Sequence, residues 1–339
     1  MHSTDTEFAG PDSVTIRIGN TSLRWDEIWA SGRLSQGWSH SGITTIGDGT
    51  VVFAHPEGHR LVAVPADDRA EPLEVQTPLT EMHCLVHDVI DEREVVWAAD
   101  NGRRRVQARP DYVNEYAKGR VAALDMTGNI LREIDCPPLE AYAEEGWRPT
   151  SIAIDEQTRD IWVADGYGQN LVHRFDSAGT LRLTIDGTES GQRFSCPHGV
   201  LLRRRGEDHE LYVADRSNRR IVVYSTEGEF RREFGSAELS SPSSFAELDG
   251  MLLVTELHGS IAWFDGDEFT GRIGQSRRSP SEDAWPNRRD RSGSAIPPDT
   301  EPGRFNSPHG IAVVDSDVLV TEWMIGGRVV RLRQASDSE

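Results

Sequence analysis

Three stretches of this chain are copies of one another, and that repetition constrains the fold more than any other feature. Pro149-Thr150-Ser151-Ile152-Ala153-Ile154 leads to Ile161-Trp162-Val163-Ala164-Asp165. Pro197-His198-Gly199-Val200-Leu201-Leu202 leads to Leu211-Tyr212-Val213-Ala214-Asp215. Pro308-His309-Gly310-Ile311-Ala312-Val313 leads to Val318-Leu319-Val320-Thr321-Glu322. Weaker copies begin at Ser41, Val86 and Pro242, which makes six. Each reads as three or four short strands, β-branched or aromatic, ended by Asp, Gly or Asn turn signals. Helical periodicity is confined to residues 139–146. Short antiparallel strands repeating at about 45 residues can hide their edges by closing radially, and a two-sheet sandwich does not account for the period. The expected fold is all-β: a single six-bladed β-propeller over residues 13–333. Its blades are expected near 42–76, 86–133, 149–184, 197–235, 242–273 and 308–333. The last copy stops after its third strand. The unrepeated segment 13–18, within 13–25, is expected to supply the missing outer strand and close the ring. Residues 1–12 and 334–339 are expected to be frayed ends.

The residue just before each inner strand of a propeller lies near the central axis. Read from the repeats, those residues are Ser41, His87, Thr150, His198, Ser243 and His309. Histidine takes every second place, at separations of 111 residues. Alternate blades of a six-blade ring stand about 120° apart, so three imidazoles would face one another. Three histidines without a cysteine partner suit zinc with an open fourth position, and other divalent transition metals accept the same set. A single such histidine would more simply cap its strand; the alternation is what favours a metal. His83 and Cys84, just upstream, read either as pocket wall or as ordinary packing.

The loops between second and third strands return to the same mouth. Asp100, Asp165 and Asp215 in them read as loop braces. Tyr167 and Arg216 add a phenol and a fixed cation beside the expected metal. Two insertions enter from this face, 103–118 and 274–305. The first carries Arg103, Arg104, Arg105, Arg109, Tyr112 and Tyr116. The second is long for a structureless loop and reads as a binding lid or a partly disordered segment. The chain holds 56 acidic and 36 basic residues, a formal charge of −20. That balance opposes nucleic acid and anionic membranes as partners. A local arginine cluster on an acidic body instead suggests a small anionic substrate, with a solvated charged loop as the plain alternative. Cys84, Cys136 and Cys196 are widely spaced and form no CxxC, so neither a disulfide framework nor a thiolate metal site is expected. The N-terminus lacks a basic and an apolar region, and no apolar run reaches membrane length, so a cytoplasmic protein is expected.

The repeats resemble NHL repeats. Two of them, Arg148-Pro149-Thr150 with Asp165-Gly166-Tyr167-Gly168, and Cys196-Pro197-His198-Gly199 with Asp215-Arg216-Ser217-Asn218, resemble the peptidyl-α-hydroxyglycine α-amidating lyases. The resemblance implies a zinc held by three histidines, which fall on His87, His198 and His309. It places a catalytic tyrosine on Tyr167 and one active-site arginine on Arg216. A second arginine of that family has no counterpart between Val52 and His59, and Gly310 stands where the family carries an acid that ligates a structural calcium. A structural calcium is therefore not expected. The expected activity is a metal-dependent lyase cleaving a small hydroxylated amide or carbinolamine. A hydrolase of a small amide or lactone using the same residues, and a non-catalytic protein-binding NHL propeller, are the alternatives.

Overall fold

The computed structural model describes residues 6–8, 14–18, 21–26, 36–66, 71–144, 146–206 and 208–334. Six antiparallel sheets stand around one axis. Blade 1 is Ile43–Thr45, Val51–Ala54, Arg60–Val64 and Leu73–Gln76. Blade 2 is Met82–Ile90, Arg93–Asp100, Arg120–Asp125 and Ile130–Ile134. Blade 3 is Ser151–Ile154, Ile161–Asp165, Leu171–Phe175 and Leu181–Ile185, and blade 4 is Pro197–Arg205, Asp208–Asp215, Arg220–Ser225 and Phe230–Phe234. Blade 5 is Pro242–Leu248, Met251–Glu256, Ser260–Asp265 and Glu268–Ile273.

The burial pattern follows strand position. Ile161–Asp165 is buried at every residue, because both faces of a second strand pack against neighbouring blades. The outer strand Phe230–Phe234 alternates between half-buried and exposed. The apolar core is accordingly split into clusters that each bridge adjacent blades, such as Trp97, Val121, Trp147, Ile152 and Phe175 between blades 2 and 3. Helix is limited among the described residues to two short 3-10 turns, Glu140–Tyr142 and Thr188–Ser190.

Blade 6 closes the ring, with one correction to the sequence reading. Pro308–Val314, Asp317–Glu322 and Arg328–Gln334 are joined by Thr21–Asp26 as the outer strand, and Val14–Ile18 lies one place further out. Leu23 and Trp25 carry the buried apolar pair of this segment, which is why they face the last blade's core with Val330 and Leu332. Thr6–Phe8 adds a further strand to the edge. The frayed ends expected at 1–5, 9–12 and 335–339 lie outside the described residues.

The insertions are more ordered than loops. Arg103–Ala108 and Asp111–Tyr116 pair as a β-hairpin. The second insertion contains the small pairing Arg288–Arg289 with Ala295–Ile296 and docks on the hairpin tip. The Ala295 N–H donates to the Pro110 carbonyl at 2.8 Å, and Arg289 meets Asp111 at 3.1 Å. Tyr112, Trp38 and Ile325 form a small apolar cluster beneath them. Among the described residues no helix is long and apolar enough to cross a membrane.

Candidate metal centre

Each inner strand of blades 2, 4, 5 and 6 starts with a bulge. Met82, Pro197, Pro242 and Pro308 pair with the acid ending the second strand, and the register then slips. The slipped residue turns toward the axis. In blades 2, 4 and 6 that residue is His83, His198 and His309. Ser243 and Thr150 occupy the matching places of blades 5 and 3, and Ser41 that of blade 1.

The structure therefore brings His198 and His309 together with His83, and does not bring His87 to them. His87 lies four residues further along the same strand, opposite Val96, and its Nε2 meets the Glu94 carboxylate on the blade. The second repeat is weak, and the Val86-His87 pair that resembles a strand start lies four residues past it. Counting back from the strand-ending acid corrects it: His198 precedes Asp215 by 17 residues, and His83 precedes Asp100 by the same 17. A fourth imidazole, His40, joins from the residue before Ser41. It has no counterpart in the other repeats, so periodicity gave no signal for it.

His40, His83, His198 and His309 offer nitrogens that all lie within 4.8 Å of one another. The last three rings are buried. Neighbouring blades orient two of them. His83 Nδ1–H donates to the Thr150 carbonyl at 2.5 Å, and His198 Nδ1–H to the Ser243 carbonyl at 2.9 Å. Both Nε2 atoms are thereby left as lone-pair donors aimed at the axis. Gly199 permits this approach, because a Cβ there would sit 2.4 Å from the same Ser243 carbonyl. His309 faces the Ser41 carbonyl without full hydrogen-bond geometry at Nδ1.

The donor set fits a metal ion better than it fits itself. His83 Nε2 is an acceptor and stands 3.0 Å from His309 Nε2. If His309 carries its proton on Nδ1, two lone pairs oppose one another; if on Nε2, its buried Nδ1 lacks a donor. The Tyr167 hydroxyl lies 3.1 Å from His40 Nε2, 3.1 Å from His198 Nε2 and 3.4 Å from His83 Nε2, and it has one proton for the two acceptors on His198 and His83. A cation resolves all of these conflicts, and neutral imidazoles are its proper ligands.

Electrostatics keep the rings neutral. Burial, with lesser repulsion from neighbouring rings and Arg216, pushes His40, His198 and His309 well below the ordinary imidazole range. Burial takes His83 down to about 3. The Tyr167 phenol is raised by burial, which outweighs the favourable Arg216 guanidinium. Arg216 alone therefore does not make it a base. That guanidinium donates to the Tyr167 oxygen at 3.4 Å and to Ser243 Oγ at 2.9 Å.

The loop acids act as braces. Asp215 accepts from the Ser195 N–H at 2.8 Å and from Arg220 at 2.8 Å, holding the loop that carries Arg216. In blade 3 a different set serves Tyr167. Asp165 accepts from the Arg148 and Gln169 N–H groups and from the Tyr142 hydroxyl, which in turn lies 2.7 Å from His173 Nε2. Burial raises Asp165 to about 6 and lowers His173 to about 4.

These shifts predict acid sensitivity in the metal-free protein. Five imidazoles, His40, His83, His173, His198 and His309, resist protonation in the fold but titrate near 6.5 when unfolded. Below that pH the unfolded chain takes up protons that the folded chain refuses, so stability falls as pH falls, by up to about 1.4 kcal/mol per group per pH unit. The carboxyls that burial raises, Glu81, Asp160, Asp165 and Asp215, oppose this with at most one proton each, four against five. Chelated protein is expected to lose denaturant midpoint between pH 7 and 5.5. A flat profile would mean that the rings are not buried as described.

A cavity of about 160 Å³ opens above the cluster, bounded by His40, Tyr167, Arg216, Arg103, Arg105 and the rings of Trp38 and Trp323. Glu81 also reaches it; burial and Asp100 raise its carboxyl well above the usual range. Of the arginines singled out in the first insertion, Arg103 and Arg105 face the cavity. Arg104 turns away to the Glu57 carbonyl and Glu115, and Arg109 does not line it.

No family model matches the chain. In sequence it is similar to the peptidylglycine α-amidating monooxygenase of Rattus norvegicus, 32% identical over 96 residues, which is 26% of this chain and 10% of that protein. It is also similar to the peptidyl-α-hydroxyglycine α-amidating lyase 2 of Drosophila melanogaster, 35% identical over 75 residues, 22% of this chain and 18% of the relative. The chain thus spans between about a tenth and a fifth of the length of these curated relatives. Among solved structures, a streptogramin B lyase shares the fold with a TM-score of 0.57 at 17% identity, covering 92% of this chain and 98% of that one. The resemblance seen in the repeats is therefore to amidating lyases in part of the sequence and to six-bladed propellers in the whole fold.

Proposed function

We propose that this propeller is a metal-dependent lyase acting on a small hydroxylated amide or carbinolamine, with zinc as the ion. The observation that carries the reading is the meeting of four imidazoles with the Tyr167 hydroxyl and the Arg216 guanidinium at one cavity floor. The partial likeness to amidating lyases supports the reaction class.

His83, His198, His309 and His40 would hold the ion. When bound, it supplies positive charge that favours anionic oxygens beside it. Tyr167, as phenolate, takes the proton of the substrate hydroxyl. The electrons of that O–H bond form the aldehyde C=O as the C–N bond breaks. The departing amide nitrogen then recovers the proton from Tyr167, and no atom of water is consumed. Arg216 hydrogen-bonds the tyrosine oxygen throughout and orients a substrate carbonyl or carboxylate. Tyr167 is half-buried on this floor, which limits its contact with bulk water.

The same residues arranged around a water would hydrolyse an amide or lactone. Reaction in ¹⁸O-labelled water separates the two. The lyase gives an aldehyde whose oxygen comes from the substrate when the product is trapped at once as a reduced alcohol. Incorporation of one solvent oxygen per turnover would replace this reading with the hydrolase. Absence of turnover by metal-loaded protein on hydroxylated amides, lactones and amides alike would leave a binding propeller.

A further inference from the structure

On the proposal above that the cavity is the substrate site, we infer that its outer half is a subsite for a planar carboxylate, built by the hairpin insertion rather than by the ring. The hairpin strand Arg103–Ala108 alternates its side chains. Arg103 and Arg105 share the face toward the cavity, and Arg104 points the other way. The Arg105 guanidinium sits over aromatic carbon, 4.4 Å from the Trp38 ring centre and 5.9 Å from that of Trp323. Arg103 lies 5.7 Å from the Tyr167 ring centre.

What these two cations lack is decisive in so acidic a chain. Among the described residues most arginines meet a carboxylate within 4.0 Å, including Arg104, Arg120, Arg220, Arg232 and Arg328. Arg103 and Arg105 meet none, and they oppose each other's charge. Asp111, whose charge reaches Arg105, is paired with Arg289. Stacking occupies the faces of a guanidinium and leaves its N–H edge, which matches a carboxylate in bidentate fashion. The rest of the wall is aromatic and aliphatic at Trp323 and Leu257, and polar at Glu81, whose carboxyl burial and Asp100 raise well above the usual range, toward the neutral acid. The whole cavity, floor included, measures about 160 Å³, close to a cavity of about 150 Å³ that accepts benzene, so the group held in its outer half is no larger than a single ring. A carboxylate on a ring or conjugated group satisfies the charge, the planarity and the size together.

Calorimetric titration of the full chain with benzoate tests this without requiring turnover. Benzoate is expected to bind saturably, with benzamide, its neutral isostere, about tenfold weaker or worse. Arg105→Gln and Arg103→Gln should each lower benzoate affinity about tenfold or more, with circular dichroism unchanged, whereas Arg104→Gln should bind as the parent does. The pattern should persist after chelation, which separates the arginine subsite from an anion held on a metal. No saturable benzoate binding, equal binding of benzamide, or equal loss in Arg104→Gln would each overturn the subsite. Binding with the expected pattern but no lyase product would keep the subsite and remove the lyase reading.

Discussion

Purified protein is expected to bind one transition-metal ion per chain, and His198→Ala to weaken that binding by roughly 100-fold or more. The substitution deletes a buried neutral imidazole whose free nitrogen the Ser243 carbonyl fixes. It also removes one of the three nitrogens around the Tyr167 hydroxyl. His87→Ala is the informative companion. Its side chain meets Glu94 outside the cluster, so metal affinity should be unchanged. Elemental analysis after dialysis against a graded chelator reads both variants. Full retention by His198→Ala, or equal loss in His87→Ala, would reject the four-imidazole site.

Tyr167→Phe should lower turnover by about 10²-fold or more while leaving metal content intact. The ring still fills its place against His83 and His198, so only the hydroxyl is lost. The effect should fall on kcat rather than KM, because the proton moves only on the way to the transition state. An unchanged kcat on the native substrate would remove Tyr167 from proton transfer. A parallel loss of metal would make it a structural support of the cluster instead.

The ring was legible because each blade repeats the same strand chemistry. Second strands such as Ile161–Asp165 and the buried part of Asp208–Asp215 announce themselves in a few residues. His198 and His309 were legible for the same reason: a proline precedes each and a glycine follows. His83 was harder to find, since blade 2 has Met82 and Cys84 in those places and a second histidine, His87, four residues later. One strand position reverses the side a residue faces, and a bulge reverses it again, so hydrophobic pattern alone does not settle the register. His40 lies outside the repeat altogether. The closing strand showed the complementary difficulty. Val14–Ile18 and Thr21–Asp26 alternate equally well, and only pairing with Arg328–Gln334 decides which is inner. That Arg103 and Arg105 face inward while Arg104 faces outward depends on the hairpin, which reads from sequence as a charged loop.

Closure by the chain's two ends also orders events in time. Asp26 accepts from Arg333, 307 positions later, so the seam cannot form until the last blade has been made. Blades 1 to 5 can pair locally as they emerge, but His309 belongs to the last blade and waits for it. Contacts of such long sequence separation are slow to form, and an open ring exposes the bare edge of Arg328–Gln334 meanwhile. The four-imidazole cluster is thus a late product of folding. An ion held there would bridge blades across the ring, and its binding would slow reopening of a seam held otherwise by Thr21–Asp26 on Arg328–Gln334 and by Leu319 and Val329 packed on Ile43 and Phe53 of blade 1.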